Sequence, residues 1–314
     1  MNKTPTAPKT LQEAIRYFAD PDTCLAFMVE IRWPNGVTCP TCESREVRFL
    51  ATRRLWECKA KHPKRQFSAK VGTIFEDSPI GLDKWFAATW LIANAKNGIS
   101  SYEIGRALGV TQKTGWFMMH RIRLAMRTGT FRKLSGQVEA DETFIGGESK
   151  YMHFGKREEK RVGKGADVRY LNKTVVAGLL RRGGRVRAKV VSDTKAGSLI
   201  PFVHRHVAPK SELITDKLMS YRYPGDYLHS IIDKTKGYVR GHIHTNGLEN
   251  FWSLLKRTIK GTYISVDPVH LNRYVDEQVY RYNQRKHTQG DGGRFVNVLR
   301  SVMGRRLTYA ALTT

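Results

Sequence analysis

The stretch Gly136-Gln-Val-Glu-Ala-Asp-Glu-Thr-Phe-Ile-Gly-Gly147 constrains the fold more than any other part of the chain. Val138 to Ile145 has the length and the Val/Thr/Phe/Ile content of a strand, and glycines close both ends. With a side-chain period of two, Val138, Ala140 and Phe144 share one face, and Glu139, Asp141 and Thr143 share the other. Acids are scarce, 28 against 54 Lys plus Arg, yet Glu139, Asp141 and Glu142 fall together. In so basic a chain, such a cluster on a strand is either a solvated sheet face or half of a metal site.

At 314 residues the chain suggests two or three domains, and 40% hydrophobic content is that of a folded protein. A formal charge of +26 implies a polyanionic partner, most simply nucleic acid. No apolar run approaches the roughly 18 residues that a membrane span needs, and the start carries no signal-peptide core. Four cysteines are too few for a disulfide framework, so a reducing, cytoplasmic setting is expected.

Those cysteines have a different use. Cys39-Pro-Thr-Cys42 is followed sixteen residues later by Cys58-Lys-Ala-Lys-His62. Two ligands on one tight turn and two on another form the four-ligand cage of structural zinc. Between them, Val47, Phe49, Leu55 and Trp56 supply a small hairpin whose core is too small to hold without metal. Cys24 lies on the apolar face of a helix and reads as a small buried hydrophobe. Lys59, Lys61, Lys64 and Arg65 give the ribbon a basic edge.

Two short helices, Leu11 to Ala19 and Thr23 to Ile31, precede the ribbon, and an apolar helix, Leu82 to Asn97, follows it. Ser100 or Ser101 then caps a helix, Gly109-Val110 turns, and Thr111 caps a second helix with Trp116, Met119 and Ile122 inside. This pattern matches a helix-turn-helix, in which the start of the second helix faces the DNA major groove. Gln112, Lys113 and Thr114 are therefore the candidate DNA-binding residues.

In the remaining two-thirds, residues 148 to 170 read as a polar, basic loop that would order on a phosphate backbone. Thr174 to Leu180 and Arg185 to Ser192 read as strands joined by Arg181-Arg-Gly-Gly184. Ala196 to His206 reads as a helix, and Glu212 to Asp216 as a short buried strand ending on a carboxylate. That order is the order of an RNase H-like α/β core, a mixed sheet flanked by helices. Asp216 would lie beside Asp141 if their strands pair in parallel. Finally, Leu248, Phe251, Trp252 and Leu255 line one face of a helix. Glu249 and Lys256 sit about 10.5 Å apart on that helix. Asn246 with Glu249 could equally be a helix cap and its partner. Beyond this, Val269 to Lys286 is an amphipathic helix, Gln289 to Gly293 a break, and Phe295 to Met303 a final short helix.

Asp141 in Val-Glu-Ala-Asp-Glu-Thr-Phe-Ile-Gly-Gly, Asp216 in Ile-Thr-Asp and Glu249 in His-Thr-Asn-Gly-Leu-Glu-Asn-Phe-Trp resemble the three acids of DDE transposases. The chain is most similar to the ISXO-like group of bacterial insertion sequences. Arg32-Trp-Pro-Asn-Gly-Val-Thr-Cys-Pro-Thr-Cys, Gly72-Thr-Ile-Phe-Glu-Asp and Gly98-Ile-Ser-Ser carry the same resemblance. It implies helices over 1–36, a zinc ribbon over 37–76, a helix-turn-helix region over 80–130, a DDE catalytic domain over 135–290 and a tail over 291–314. It implies an enzyme that binds terminal inverted repeats and catalyses DNA cleavage and strand transfer. Asp141, Asp216 and Glu249 would hold two magnesium (or manganese) ions, with Asn246 the alternative third ligand and Lys256 on a phosphate. Cys39, Cys42, Cys58 and His62 would hold zinc, although His62 stands where the group usually has a cysteine. The expected partners are transposon-end and target DNA, with a homo-oligomer of two or more copies on paired ends, nucleoid-associated in the cytoplasm and away from membranes. The alternatives are a non-catalytic DNA-binding regulator and a structure-specific nuclease of the same fold.

Overall fold

The computed structural model describes residues 7–127, 132–158, 172–216, 219–221, 225–233, 235, 237 and 239–313. The chain divides into two units, Met1–Thr128 with Gln284–Thr314, and Gly129–Asn283. Most of the expected basic loop, residues 159–171, lies outside the described residues.

The first unit begins with α1 (Leu11–Tyr17) and α2 (Pro21–Arg32), capped by the side chains of Thr10 and Asp20. The ribbon sheet follows, with β1 (Val47–Leu50), β2 (Leu55–Cys58) and β3 (Gln66–Phe67) in antiparallel order. β3 was not expected; its Phe67 stacks on Trp56, and Trp33 closes the cluster at 5.7 Å from Trp56. α3 (Leu82–Asn94) ends three residues earlier than the sequence suggests. α4 (Ser101–Leu108) starts at a complete capping box between Ser100 and Glu103, and Gly109 ends it in the left-handed conformation. Thr111 then caps α5 (Gln112–Met126). The two helices cross closely because Gly115 faces the Ser101 carbonyl, where a Cβ would stand 2.9 Å from it. Trp116 is only half-buried, whereas Met119 and Ile122 are inside as expected.

The C-terminal segment belongs to this same unit. α9, counted after the helices of the second unit, runs Gly290–Arg300 and so includes most of the glycine stretch read above as a break. Tertiary packing overrides the weak helix propensity of glycine here. Phe295 enters an aromatic core with Phe18, Phe27, Phe86 and Trp90, and Gly292 lets the Pro8 backbone come close.

The second unit is a five-stranded mixed sheet in the order β6-β5-β4-β7-β8. Its strands are β4 (Gln137–Gly146), β5 (Lys173–Arg181), β6 (Val186–Val191), β7 (Glu212–Asp216) and β8 (Leu228–Ile232). β4, β5 and β6 run antiparallel; β7 joins β4 in parallel and β8 joins β7 in parallel. α6 (Ala196–His206) covers one face, where Val138 and Ala140 pack with Leu199 and Val203. α7 (Asn246–Thr258) and α8 (Pro268–Asn283) cover the other, packing Leu248, Phe251, Leu271 and Val275 on Val176 and Leu180. Sheet and helices form three layers, as the sequence order predicts. β8 escaped the sequence reading because its pattern is that of an exposed edge. On α8, Glu277 is fully buried against Arg281, and Tyr263 donates to it at 2.6 Å.

Candidate active site and metal centre

In the ribbon, Cys39 Sγ lies 3.5 Å from His62 Nε2, and Cys42 Sγ lies 3.7 Å from Cys58 Sγ. The four ligand atoms all lie within 4.8 Å of one another. His62 thus stands in the fourth corner, and three thiols with one imidazole are a donor set that fits structural zinc. Burial pushes the Cys39 thiol up, but the amides of Cys42 and Thr41 and the thiols of Cys42 and Cys58 outweigh it and bring it to about 7. Metal ligation needs that thiolate. Cys24 is fully buried, donates to the Phe18 carbonyl and takes no part.

The acid cluster on β4 is no solvated face. Glu139 is 1% exposed and Asp141 7%, both beneath α7. They do different things. Glu139 Oε2 accepts from the Leu248 N–H at 3.0 Å, in the first turn of α7, where a helix favours negative charge. Its Oε1 accepts from Arg182 Nε at 3.2 Å, and His244 Nδ1 is 3.6 Å away. Gly247 allows this approach, since a Cβ there would meet Glu139 at 2.8 Å. Two residues on, Asp141 Oδ2 accepts the Trp252 indole N–H at 3.0 Å. Glu142 faces the other way and accepts the phenol of Tyr221.

Parallel pairing sets Ala140 opposite Thr215, so Asp141 and Asp216 come next on adjacent strands, whose spacing is about 4.8 Å. Tyr221 feels this concentration of charge: burial first, then Glu142, Asp141 and Asp216, push its phenol well above the usual range. Glu249 is half-buried in the first turn of α7 and accepts from the Thr245 hydroxyl at 3.3 Å. Thr245, not Asn246, is the N-cap residue of α7; Asn246 is the first helical residue and is exposed. Two turns on, burial pulls the Lys256 ammonium down while Asp141 pulls it back up and Lys260 and Lys173 lower it further. Among the described residues, only the zinc-type group brings three or more ligand atoms within 4.8 Å; Asp141, Asp216 and Glu249 are not gathered so closely. Three like charges repel unless a cation stands between them.

In the first unit, Gln112 and Lys113 are exposed and Thr114 is half-buried at the start of α5. Gln112 Nε2 donates to Ser101 Oγ at 2.8 Å, and Thr114 N–H donates to Thr111 Oγ1 at 3.2 Å. Lys113 Nζ lies 4.7 Å from the centre of the Tyr309 ring.

The sequence of the second unit matches the ISXO2-like transposase domain over residues 133–283, and residues 19–60 match the transposase zinc-ribbon domain. The chain belongs to the ISXO2-like transposase family. It pairs an N-terminal zinc ribbon with a C-terminal transposase domain, a mixed sheet flanked by helices. It is 25% identical over 254 residues to an uncharacterized protein in transposable element ISH50 of Halobacterium salinarum, covering 77% of this chain and 84% of that one. No solved structure matches it. No helix among the described residues is long and apolar enough to cross a membrane.

Sequence reasoning missed several residues of this candidate site: Glu139 as the anchor of α7, Arg182 and His244 around it, and Gly178. Gly178 lies opposite Asp141 on β5, and a Cβ there would stand 2.5 Å from the Trp252 ring. A glycine inside the run Val-Val-Ala-Gly-Leu-Leu was the available signal, because glycine within a strand marks a close approach.

Proposed function

We propose that this transposase cuts and joins DNA at the ends of its insertion sequence, with Asp141, Asp216 and Glu249 as the metal-holding carboxylates of an RNase H-like domain. The observation that carries the reading is the parallel pairing of β4 with β7, which makes Asp141 and Asp216 neighbours on adjacent strands, with Asp141 beneath the helix bearing Glu249 and Lys256. Carboxylate oxygens are the donors that magnesium or manganese prefers. A pair of such ions, when bound, would supply an activated attacking oxygen and a stabilised leaving oxygen at phosphorus. Lys256, whose ammonium feels the Asp141 carboxylate, would neutralise a phosphate oxygen. Trp252 holds one oxygen of Asp141 in a fixed direction, and Glu139 ties the first turn of α7, and Glu249 with it, to the same strand.

In the first unit, α4 and α5 act as a helix-turn-helix on the terminal repeats, with Gln112, Lys113 and Thr114 at the DNA and the ribbon beside them. Two or more copies act together on paired ends. Labelled terminal DNA incubated with protein and magnesium tests this reading. Asp141→Asn, Asp216→Asn and Glu249→Gln should each abolish nicking and joined products while end binding survives. Asn246→Ala separates the two third-ligand candidates, since only the true ligand's loss removes metal-dependent cutting. Strand joining by Asp141→Asn would overturn the assignment, and nicks without joined products would favour a nuclease.

A further inference from the structure

Beyond Asp141, a cleft opens where β4 ends, β5 begins and α7 finishes. Lys173, Lys256 and Lys260 line it with Asn172 and Gly146. Lys256 and Lys260 are one turn apart on the same helical side, and Lys173 sits opposite Gly146 in the sheet register. Gly146 has φ 147°, and a Cβ on it would strike the Asn172 carbonyl at 2.2 Å, so the floor stays free of side chain there. Two carboxylates stand near the three ammonium groups. Glu148 is paired with Lys150 at 2.7 Å and also feels the charges of Lys173 and Lys260, and Asp267 accepts the Val269 N–H at 3.0 Å, so the cleft keeps an excess of positive charge.

The rim carries a second, independent peculiarity. α7 loosens into a π-helical turn, Ile259–Tyr263, and the next residue, Ile264, has φ 63° and ψ −62°. A β-branched side chain rarely tolerates a positive φ, this pair of angles is near that of the strained γ-turn, and such strain clusters at ligand clamps. Ile264 is also 80% exposed, so burial does not compensate the strain.

We propose that this cleft grips one DNA strand next to the cutting site, with Lys173, Lys256 and Lys260 on successive phosphates and Ile264 wedged against a base. An apolar wedge that unstacks a base step is a known way of seating bent DNA, and lysines on its phosphates hold it in register. This rests on the reading of the second unit as a strand-cutting domain.

The full-length protein tests it in two arms. In the first, binding of end DNA is followed by fluorescence anisotropy over a salt series, in an Asp141→Asn background. Lys173→Gln with Lys260→Gln should flatten the plot of log affinity against log salt by about 0.9 per lysine, and the paired arginine substitutions should restore it. An unchanged slope overturns the cleft whether or not the wild type cuts DNA. In the second arm, end DNA carries 2-aminopurine at each position around the cut. Wild type should brighten one position; Ile264→Gly should not, while its Tm rises as the backbone relaxes. Brightening that survives Ile264→Gly overturns the wedge. A wild type that binds with the expected salt slope yet never nicks DNA would instead overturn the strand-cutting reading.

Discussion

Trp252 donates its indole N–H to Asp141 Oδ2 at 3.0 Å across the space that Gly178 leaves open. A residue that pattern alone would assign to helix packing therefore also orients the central acid. Trp252→Phe keeps the ring over Gly178 but leaves a buried carboxylate oxygen without its donor. The expected loss is about 1.5–3 kcal/mol of stability, the usual worth of a hydrogen bond to a charged group. The acid limb of the strand-transfer pH profile should move upward, because that donor favours the ionised form. Urea melts and a pH series check both.

Gly178→Ala tests the same contact from the other side. The added methyl meets a rigid indole edge rather than a flexible chain end, so the strand pair or the helix must shift. Overpacking of this kind costs about 1–3 kcal/mol, readable as a lowered denaturation midpoint.

Glu139 is expected to matter for folding more than its place beside the proposed metal ligand Asp141 suggests. Glu139→Ala leaves Arg182 without its buried partner and the Leu248 N–H without its acceptor. Breaking a buried pair by removing one member costs about 3–5 kcal/mol. Glu139→Gln, which keeps the shape and an acceptor, should lose markedly less and retain metal-dependent cutting. Equal loss of cutting by Glu139→Gln and Asp141→Asn would assign Glu139 to the chemistry.

The ribbon should bind about one zinc per chain, measured by elemental analysis of purified protein. Cys42→Ser and His62→Ala should lose it, and His62→Cys should keep it because a thiolate suits the same corner. Chelation should unfold the ribbon, raising the exposure of Trp56, with fluorescence as the readout.

Glu212 joins three elements: its carboxylate accepts from His242, Ser230 and Gln137, at 2.8, 2.9 and 3.0 Å. Burial pushes its pKa up, but these three partners outweigh burial and hold it below the usual glutamate range. The sign follows from linkage. A depressed carboxylate adds stability above the unfolded value, about 4.3, and loses it as pH falls through the lower folded value. Glu212→Gln should therefore narrow the stability difference between pH 6 and acid, seen in melts across that range.

Much of the local architecture was legible in the chain. The cysteine spacing, the Ser100 and Thr111 caps, the helix Ala196–His206 and the strand Glu212–Asp216 all follow from rules that act within a few residues. The family resemblance was legible too, because motifs around Asp141, Asp216 and Glu249 are short and local. The glycine-rich start of α9 was not, since only the aromatic core around Phe295 makes a helix of it.

By itself the sequence determined which residues carry charge, which could ligate metal, and the order of most strands and helices, β3 and β8 excepted. Only tertiary structure decided that Glu139 and Asp141, alike in composition and on one face of one strand, have different neighbours. Burial under α7 gives Glu139 the backbone of the first helical turn and Asp141 an indole, and a carboxylate's behaviour is set by the donors that reach it. Those donors lie more than a hundred residues away in the chain, beyond the reach of any local rule.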